Sequence, residues 1–181
     1  MTARAIAVAI AVGAALAGCA EASQDSFDVG DPKVNRGRVV SVTDGDTLRV
    51  RAGGREVRVR LLGIDTPETR RPGTAVECGG KNATASMRRL VFVGGRGRRV
   101  TLTGDSTQDR VDRYGRRLAY VTTVRGDVGA AQLRAGWASS YVFGGRPVRR
   151  AARYRRLAAG ARGAGRGVWG SCDGDFHRPA Q

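Results

Sequence analysis

The sequence predicts an α+β protein with a small five-stranded β-barrel and three α-helices. Short runs rich in β-branched and aromatic residues occur five times, and glycine or aspartate turn signals separate them. A helical pattern lies between the third and fourth runs, and two more helical patterns follow the fifth. This order fits a closed or partly open barrel of the OB type. No glycine-rich phosphate loop joins a strand to a helix, which argues against nucleotide-binding α/β folds.

The first three predicted strands form a meander. The turn signals DGD and GG separate the runs RVVSVT, TLRVRA and EVRVRLL. In the second run, Leu48 and Val50 fall on one face, whereas Thr47, Arg49 and Arg51 fall on the other, as in a strand with one buried face. The expected strands are residues 38–43, 47–52 and 56–62.

The remaining elements follow after a loop rich in proline and glycine. The run NATASMRRLVFVGG predicts a helix with Asn82 as its N-cap, and Gly94 and Gly95 after its last turn. Further along, the expected elements are strands at 98–103 and 116–124, a short helix near 128–135, and an arginine-rich helix from near Pro147 to just before RGVWGSC.

The N-terminus has the pattern of an export signal. Residues 1–18 hold one basic residue and an apolar run too short to span a membrane. They lead into LAGC, which resembles a bacterial lipobox and predicts lipidation of Cys19. The alternative is an ordinary secretory signal cleaved nearby. The expected organisation is a signal peptide (1–18), a flexible tether (19–36), one domain (37–172) and a disordered tail (173–181).

The remaining cysteines fit an exported protein. Without Cys19 the chain keeps Cys78 and Cys172, an even number in an oxidising compartment. We therefore expect a disulfide bond between an early loop and the C-terminus; the alternative is two free thiols. The mature protein would be held on the outer side of the cell membrane by its lipid, or secreted.

The charge of the chain predicts a polyanionic partner. It carries 32 Lys and Arg residues against 16 Asp and Glu, a formal net charge of +16, and nearly all the basic residues are arginine. Arginine grips phosphate oxygens with two parallel donors, so nucleic acid is the leading partner class. Arginine content can also reflect genome composition or adhesion to an anionic envelope. No protein partner is expected, and the chain is expected to be a monomer.

The chemistry available to the chain is restricted. Its one histidine, His177, lies in the predicted tail. This excludes a two-histidine acid–base pair within one chain and argues against a Ser–His–Asp triad or a His/Cys zinc site in the folded body. Carboxylates, arginines and tyrosines remain, and carboxylate oxygens favour Ca²⁺ or Mg²⁺.

One set of carboxylates and arginines suits phosphodiester hydrolysis. Asp46 begins a strand and Asp65 follows the next one, so a tight meander can bring them together around Ca²⁺. Glu68 could reach a water beside the metal, and Arg60 and Arg116 could grip the phosphoryl oxygens. Taken alone, DGD is a common turn and DTPE could be a helix cap; only their occurrence together in this order indicates a site.

These motifs resemble the staphylococcal (micrococcal) nuclease family. DGDT, RLLGIDTPET and DRYGRRLAY occur in the family's order and at similar spacing, and the resemblance covers roughly residues 37–172. It implies an OB barrel with three helices and a Ca²⁺-dependent nuclease. Such an enzyme would cut single-stranded DNA, RNA and open duplex DNA with little sequence preference and leave 3′-phosphate ends. The alternative is a catalytically silent member that binds extracellular nucleic acid at the cell surface.

The resemblance also implies roles for individual residues. For the metal it implies Asp46, Asp65 and the backbone carbonyl of Thr66, with Asp44 as an acidic neighbour. For catalysis it implies Arg60, Glu68 and Arg116. For the nucleotide pocket it implies Tyr114 with Arg113 beside it, and Tyr141. The departures from the family pattern are the cysteine pair, a much higher arginine content, and Gly63, where a bulky apolar residue is expected.

Overall fold

The computed structural model describes residues 35–69, 73 and 75–180. The predicted signal peptide, Cys19 and most of the predicted tether lie outside these residues. Within the described part of the chain, no helix combines the length and apolar character needed to cross a membrane.

Short strands and helices alternate along the described residues. The strands are β1 (Arg36–Val42), β2 (Thr47–Ala52), β3 (Arg55–Leu61), β4 (Ile64–Asp65), β5 (Phe92–Val93), β6 (Arg96–Gly97), β7 (Arg99–Thr103), β8 (Arg117–Thr123), β9 (Gly126–Asp127) and β10 (Ser139–Ser140). The helices are α1 (Gly80–Val91), α2 (Val128–Arg134), α3 (Ala151–Gly163) and the single turn α4 (Val168–Ser171).

Five of these strands form a closed barrel. β1 pairs antiparallel with β2 and β7, β2 pairs antiparallel with β3, and β7 pairs antiparallel with β8. The barrel closes where β3 and β8 run parallel, with Val59 opposite Arg117. The predicted α+β class, an OB-type barrel with helices, is therefore confirmed. Closure removes the open edges that a five-stranded sheet would otherwise expose.

Apolar side chains from alternate strand positions fill the barrel. Leu48, Val50 and Val59 are fully buried, as the alternation in the sequence predicts. Met87 of α1 and Leu133 of α2 pack into the same core, so these helices lie against the barrel. Burying this apolar surface is the main force that holds the helices in place.

Helix α1 differs from its prediction at both ends. It begins at Gly80, after Gly79 in a left-handed conformation, and the predicted cap Asn82 lies inside it. It ends at Val91, because the next residues pair as the small hairpin β5–β6. Gly94 and Gly95 form the hairpin turn with φ of 53° and 73°, the conformation that two-residue hairpin turns require.

The C-terminal segment, residues 172–180, packs against the loop before α1. The Sγ atoms of Cys78 and Cys172 are bonded, 2.06 Å apart, which is the predicted disulfide pairing. The sequence predicts a disordered tail from residue 173, but Phe176 is buried and stacks edge-on against Trp169. The main chain of residues 178–180 also hydrogen-bonds that of residues 76–78. The apolar contact and the covalent bond give this segment the order that its composition does not predict.

The solvent side of the meander carries opposed arginines, here called the arginine face: Arg38, Arg49, Arg51 and Arg58. Arg38 lies opposite Arg51, and Arg49 lies opposite Arg58. Like charges directly opposite one another on neighbouring strands are destabilising. Glu56 relieves part of this repulsion, since its carboxylate lies 3.0 Å from Arg49 and 4.0 Å from Arg51.

Candidate active site

A turn between β1 and β2 presents two aspartates. Residues 43 and 44 donate their main-chain N–H groups to the carbonyl of Thr47, and the carboxylate of Asp44 accepts from the N–H of Asp46 at 3.2 Å. Gly45 lies so close to Thr66 that a Cβ there would come within 2.7 Å of its hydroxyl. The DGD sequence therefore forms a tight turn packed against the segment that follows β4.

Gln132 of α2 holds this turn from the other side. Its side chain is fully buried, and Nε2 donates to the carbonyls of Gly45 at 2.8 Å and Ala83 at 3.0 Å. The sequence gives no sign of this role, because Gln132 lies 87 positions from Gly45 and belongs to no recognisable motif.

Asp46, Asp65 and Arg60 converge. Nη2 of Arg60 lies 3.0 Å from the carboxylate of Asp46 and 2.7 Å from that of Asp65. Asp46 also accepts hydrogen bonds from the hydroxyl of Thr47 and the main-chain N–H of Thr66. Nη1 of Arg60 donates to the carbonyls of Leu61 and Ile64, which fixes its guanidinium. Three of the residues implied by the resemblance are thus brought together, with Thr66 directly beside them.

Asp44, Asp46 and Asp65, here called the acidic cluster, carry more negative charge than Arg60 offsets. Burial, followed by the nearby charge of Asp46, raises the pKa of Asp44 to about 7. Burial also raises the pKa of Asp65, although Arg60 opposes the effect. Burial acts to lower the pKa of Arg60, but the surrounding carboxylates outweigh it and the net shift is upward. These shifts mark a site that favours an added positive charge.

Glu68 is held beside the cluster by a second glutamate. The side chain of Glu77 is almost fully buried, and its Oε2 accepts from the main-chain N–H of Glu68 at 2.5 Å. The main chains pair in return, since the N–H of Glu77 donates to the carbonyl of Glu68 at 2.9 Å. Residues 70–72 and 74 of the loop between them lie outside the described residues. The sequence does not identify Glu77 as a site residue, because it is a single acidic residue in a polar loop.

The histidine of the C-terminal segment also reaches the site. His177 Nε2 lies 3.6 Å from the carboxylate of Asp65, and Nδ1 lies 3.3 Å from that of Glu77. The sequence places His177 112 residues after Asp65, in a stretch expected to be disordered, so no local pattern predicts this contact.

Arg113, Tyr114 and Arg116 lie on the loop before β8. Asp112 shapes this loop by accepting the main-chain N–H groups of Tyr114 and Arg116 and by pairing with the guanidinium of Arg116 at 2.7 Å. The guanidinium groups of Arg113 and Arg116 lie 4.8 and 5.3 Å from the centre of the exposed Tyr114 ring. An aromatic ring flanked by cations suits a stacked base with its phosphate.

Tyr141 follows β10, which pairs with β4 so that Ser139 lies opposite Asp65. Its main-chain N–H donates to the carbonyl of Gly63 at 3.0 Å, and its side chain is 42% exposed. Because β10 pairs with β4, Tyr141 follows directly on a strand that lies beside Asp65.

A family model described as staphylococcal nuclease homologue matches residues 58–171. The chain belongs to this family. The match contains Arg60, Asp65, Glu68 and Arg116, four of the residues to which the sequence resemblance assigns roles in a site. Asp46 precedes the matched region, and the C-terminal segment follows it.

Several nuclease relatives match part of the chain. The thermonuclease of Staphylococcus hyicus is 40% identical over 84 residues, which are 46% of either chain. Endonuclease YncB of Bacillus subtilis (strain 168) is 36% identical over 130 residues, 68% of this chain and 59% of the relative. The thermonuclease of Staphylococcus intermedius is 42% identical over 83 residues, again 46% of either chain. The chain thus spans about half to three fifths of these relatives.

The chemistry of the donor groups fits the calcium expected for a staphylococcal nuclease site. Asp46 and Asp65 direct carboxylate oxygens towards the same Arg60 nitrogen, and the backbone of Thr66 lies against Asp46. Oxygen donors of this kind are those that Ca²⁺ prefers. In the described part of the chain, no three His, Cys, Asp or Glu side chains are grouped closely enough to hold a metal by themselves. A calcium ion here would therefore need water or phosphate oxygens as further ligands.

Proposed function

We propose that this chain is a calcium-dependent phosphodiesterase that hydrolyses DNA and RNA with little sequence preference and leaves 3′-phosphate ends. The observation that carries the proposal is the convergence of Asp46 and Asp65 on Arg60. Glu68 follows Asp65 by three residues. The names of the relatives, thermonuclease and endonuclease, support the same reaction class.

Each group of the site has a task in that reaction. Asp46, Asp65 and the carbonyl of Thr66 would hold Ca²⁺, which when bound supplies positive charge against the charge that builds on the phosphate. Arg60 is already oriented by two carbonyls and can donate to a phosphoryl oxygen. Arg116 would provide the second donor by releasing part of its pairing with Asp112.

Glu68 would orient the attacking water or accept its proton. The water oxygen forms a bond to phosphorus while the bond from phosphorus to the 5′-oxygen breaks. The 5′-oxygen leaves with a proton, and the phosphate stays on the 3′-oxygen. The exposed ring of Tyr114, with Arg113 and Tyr141 nearby, would hold the base and sugar by stacking and hydrogen bonds. Single-stranded DNA, RNA and open duplex DNA present bases that can be held in this way.

Export and lipid anchoring at Cys19 stay predictions, since that residue lies outside the described part of the chain. We propose a monomer outside the cell, either held to the membrane by its lipid or released. The only membrane contact in this proposal is through the lipid.

Digestion of single-stranded DNA by the purified protein tests the proposed activity. With Ca²⁺ we expect fragments ending in 3′-phosphate, and with excess chelator no cutting. Asp46→Ala and Glu68→Ala should lose cutting by several orders of magnitude while keeping salt-sensitive DNA binding. Asp109→Ala, on an exposed loop, serves as the matched control and should cut like the parent protein.

Two results would contradict the proposal. Tight binding without cutting in Ca²⁺, Mg²⁺ and Mn²⁺ would show a silent binding module. An unchanged cutting rate in Glu68→Ala would reject the role given to that glutamate.

A further inference from the structure

The C-terminal segment is fixed on both sides of His177. Before it, Phe176 is buried against Trp169, with ring centres 4.9 Å apart. After it, the carbonyl of Arg178 accepts from the N–H of Cys78 at 2.7 Å, and the N–H of Ala180 donates to the carbonyl of Val76 at 2.7 Å. The main-chain N–H of His177 itself donates to Asp175 at 2.9 Å. The main-chain position from which the imidazole extends is therefore set by the fold.

The imidazole lies between the carboxylates of Asp65 and Glu77, which have different partners. The oxygen of Asp65 nearest His177 is Oδ2, whereas Oδ1 pairs with Arg60. The oxygen of Glu77 nearest His177 is Oε1, whereas Oε2 accepts from the N–H of Glu68. The ring therefore contacts the second oxygen of each carboxylate. It connects Asp65, which would hold the metal, with Glu77, which binds the main-chain N–H of Glu68.

We propose that His177 is a positioning residue of the active site: through Asp65 and Glu77 it holds the calcium carboxylates and Glu68 in their working arrangement. The roles of Asp65 and Glu68 rest on the proposed function. The family match ends at residue 171, so the resemblance assigns no role to His177.

The exposure of the His177 side chain determines how large an effect its removal should have. The side chain of His177 is 63% exposed and its two contacts are 3.3 and 3.6 Å long, so solvent weakens both. Removing the ring should therefore weaken calcium binding about three- to tenfold, at or below the lower end of the roughly 10- to 100-fold that outer partners of metal ligands contribute. The cutting rate kcat should fall by a similar factor, while KM for DNA should stay unchanged because the ring contacts Asp65 and Glu77 and not the residues proposed to hold the nucleotide.

Three variants of the full chain test the proposal. His177→Ala removes the ring, and His177→Gln keeps one donor and one acceptor. Arg178→Ala is the matched control, because it lies in the same segment and its side chain pairs with Asp173 and contacts the sulfur of Cys78, not the carboxylates of Asp65 and Glu77. Calcium affinity is measured by calorimetry without substrate, and hydrogen exchange at the amide of Glu68 is measured without metal.

We expect weaker calcium binding and faster exchange at Glu68 in His177→Ala, partial recovery in His177→Gln, and parent-like values in Arg178→Ala. Parent-like exchange and calcium affinity in His177→Ala would overturn the proposal. Equal losses in His177→Ala and Arg178→Ala would also overturn it, since docking of the segment would then be the whole effect. If the parent protein neither binds calcium nor cuts DNA, the proposed function fails, while exchange at Glu68 still decides the positioning role.

Discussion

At the scale of single residues, side chains outside the motifs contact the site and its supporting turns. Gln132 binds two carbonyls, one in the DGD turn and one in α1, and it does so from within α2. Glu77 seats Glu68, and His177 touches both Glu77 and Asp65. The geometry of the acidic cluster therefore depends on residues that take no part in the chemistry.

Replacing Gln132 with Met should destabilise the protein. Met fills a similar volume but leaves the carbonyls of Gly45 and Ala83 buried without their donor, at a cost of about 2–4 kcal/mol in the free energy of unfolding. Calcium affinity should fall as well, because the turn that carries Asp46 loses its support. Urea unfolding and calorimetry measure the two effects. Gln108→Met, at a partly exposed position, is the control; a loss below about 1 kcal/mol in Gln132→Met would contradict the assigned role.

Asp44 makes the stability of the metal-free protein depend on pH. Its pKa is about 7 in the folded state and near 3.8 in the unfolded chain. A raised carboxyl pKa contributes stability that is present below about pH 4 and lost as the pH rises through 7. The loss is up to about 4 kcal/mol, since each pKa unit corresponds to about 1.4 kcal/mol.

Asp44→Asn removes this titration while keeping the oxygen that accepts from Asp46. In the presence of chelator, the variant should gain about 4 kcal/mol of free energy of unfolding relative to the parent at pH 8 but less than about 2 kcal/mol at pH 5, where under half of the loss has developed. Asp109→Asn, on the exposed loop, should show the same difference at both pH values. An Asp44→Asn variant whose gain does not grow with pH would show that Asp44 is not held in its protonated form.

The sequence predicts part of this site. Motifs fix residues close together along the chain, so DGDT and DTPE identify Asp46, Asp65 and Glu68 as candidates before any contact is known. Gln132, Glu77 and His177 meet those residues only through tertiary folding. Their burial or placement results from packing of α2, the loop before α1 and the C-terminal segment, and no short-range pattern encodes it.

At the scale of elements, the turn between β3 and β4 explains an unusual glycine. Gly63 has φ of +75°, a left-handed conformation that favours glycine, and a Cβ there would lie 2.7 Å from a methyl group of Val148 and 3.1 Å from the ring of Tyr154. A bulky residue at this position would displace α3. The small residue that departs from the family pattern therefore allows α3 to pack directly on the turn before Asp65.

Substituting Gly54 and Gly63 separates the cost of the left-handed backbone conformation from the cost of steric overlap. Gly54→Ala places a Cβ in open space at φ of +79°, so only the backbone cost of about 1–2 kcal/mol applies. Gly63→Ala adds a steric overlap and should cost about 2–5 kcal/mol in the free energy of unfolding. Urea unfolding of both variants measures the difference, and equal losses would show that the contact with Val148 and Tyr154 relaxes freely.

Alternation along the strands was sufficient to predict the barrel, since the predicted strands agree with β1, β2, β3, β7 and β8 to within two residues. Pairs of two residues such as β4–β10 are too short to produce a pattern. The order of the C-terminal segment depends on a disulfide bond and one buried aromatic ring, so its polar composition predicts disorder instead.

At the scale of the whole molecule, the arginine face extends from Arg60 along the barrel as a run of positive charge. On β3, Arg58 lies two residues from Arg60 and therefore on the same side of the strand. A single strand bound at the site could extend its phosphates across this face, and the like-charged pairs that destabilise the free protein would then be neutralised.

The salt dependence of single-strand binding measures how much the arginine face contributes to the affinity. Removing two phosphate contacts from a single-strand complex lowers the slope of log K against log salt by about 1.4. We expect this change for the double variant Arg49→Gln, Arg51→Gln, measured with a 20-nucleotide strand. The matched variant Arg155→Gln, Arg156→Gln changes the same charge on the exposed side of α3 and should keep the parent slope. Equal changes in both would show that only the total charge matters.

The bond between Cys78 and Cys172 spans 94 positions and makes the intervening chain a covalent ring. The ring contains the four helices α1 to α4, strands β5 to β10 and the exposed loop of Arg113 and Tyr114. A protease that cuts once within it opens the chain but releases no fragment, so the nicked protein keeps its mass until a thiol reduces it. A single trypsin-like cut at one of the exposed arginines within the ring would therefore leave the molecule in one piece.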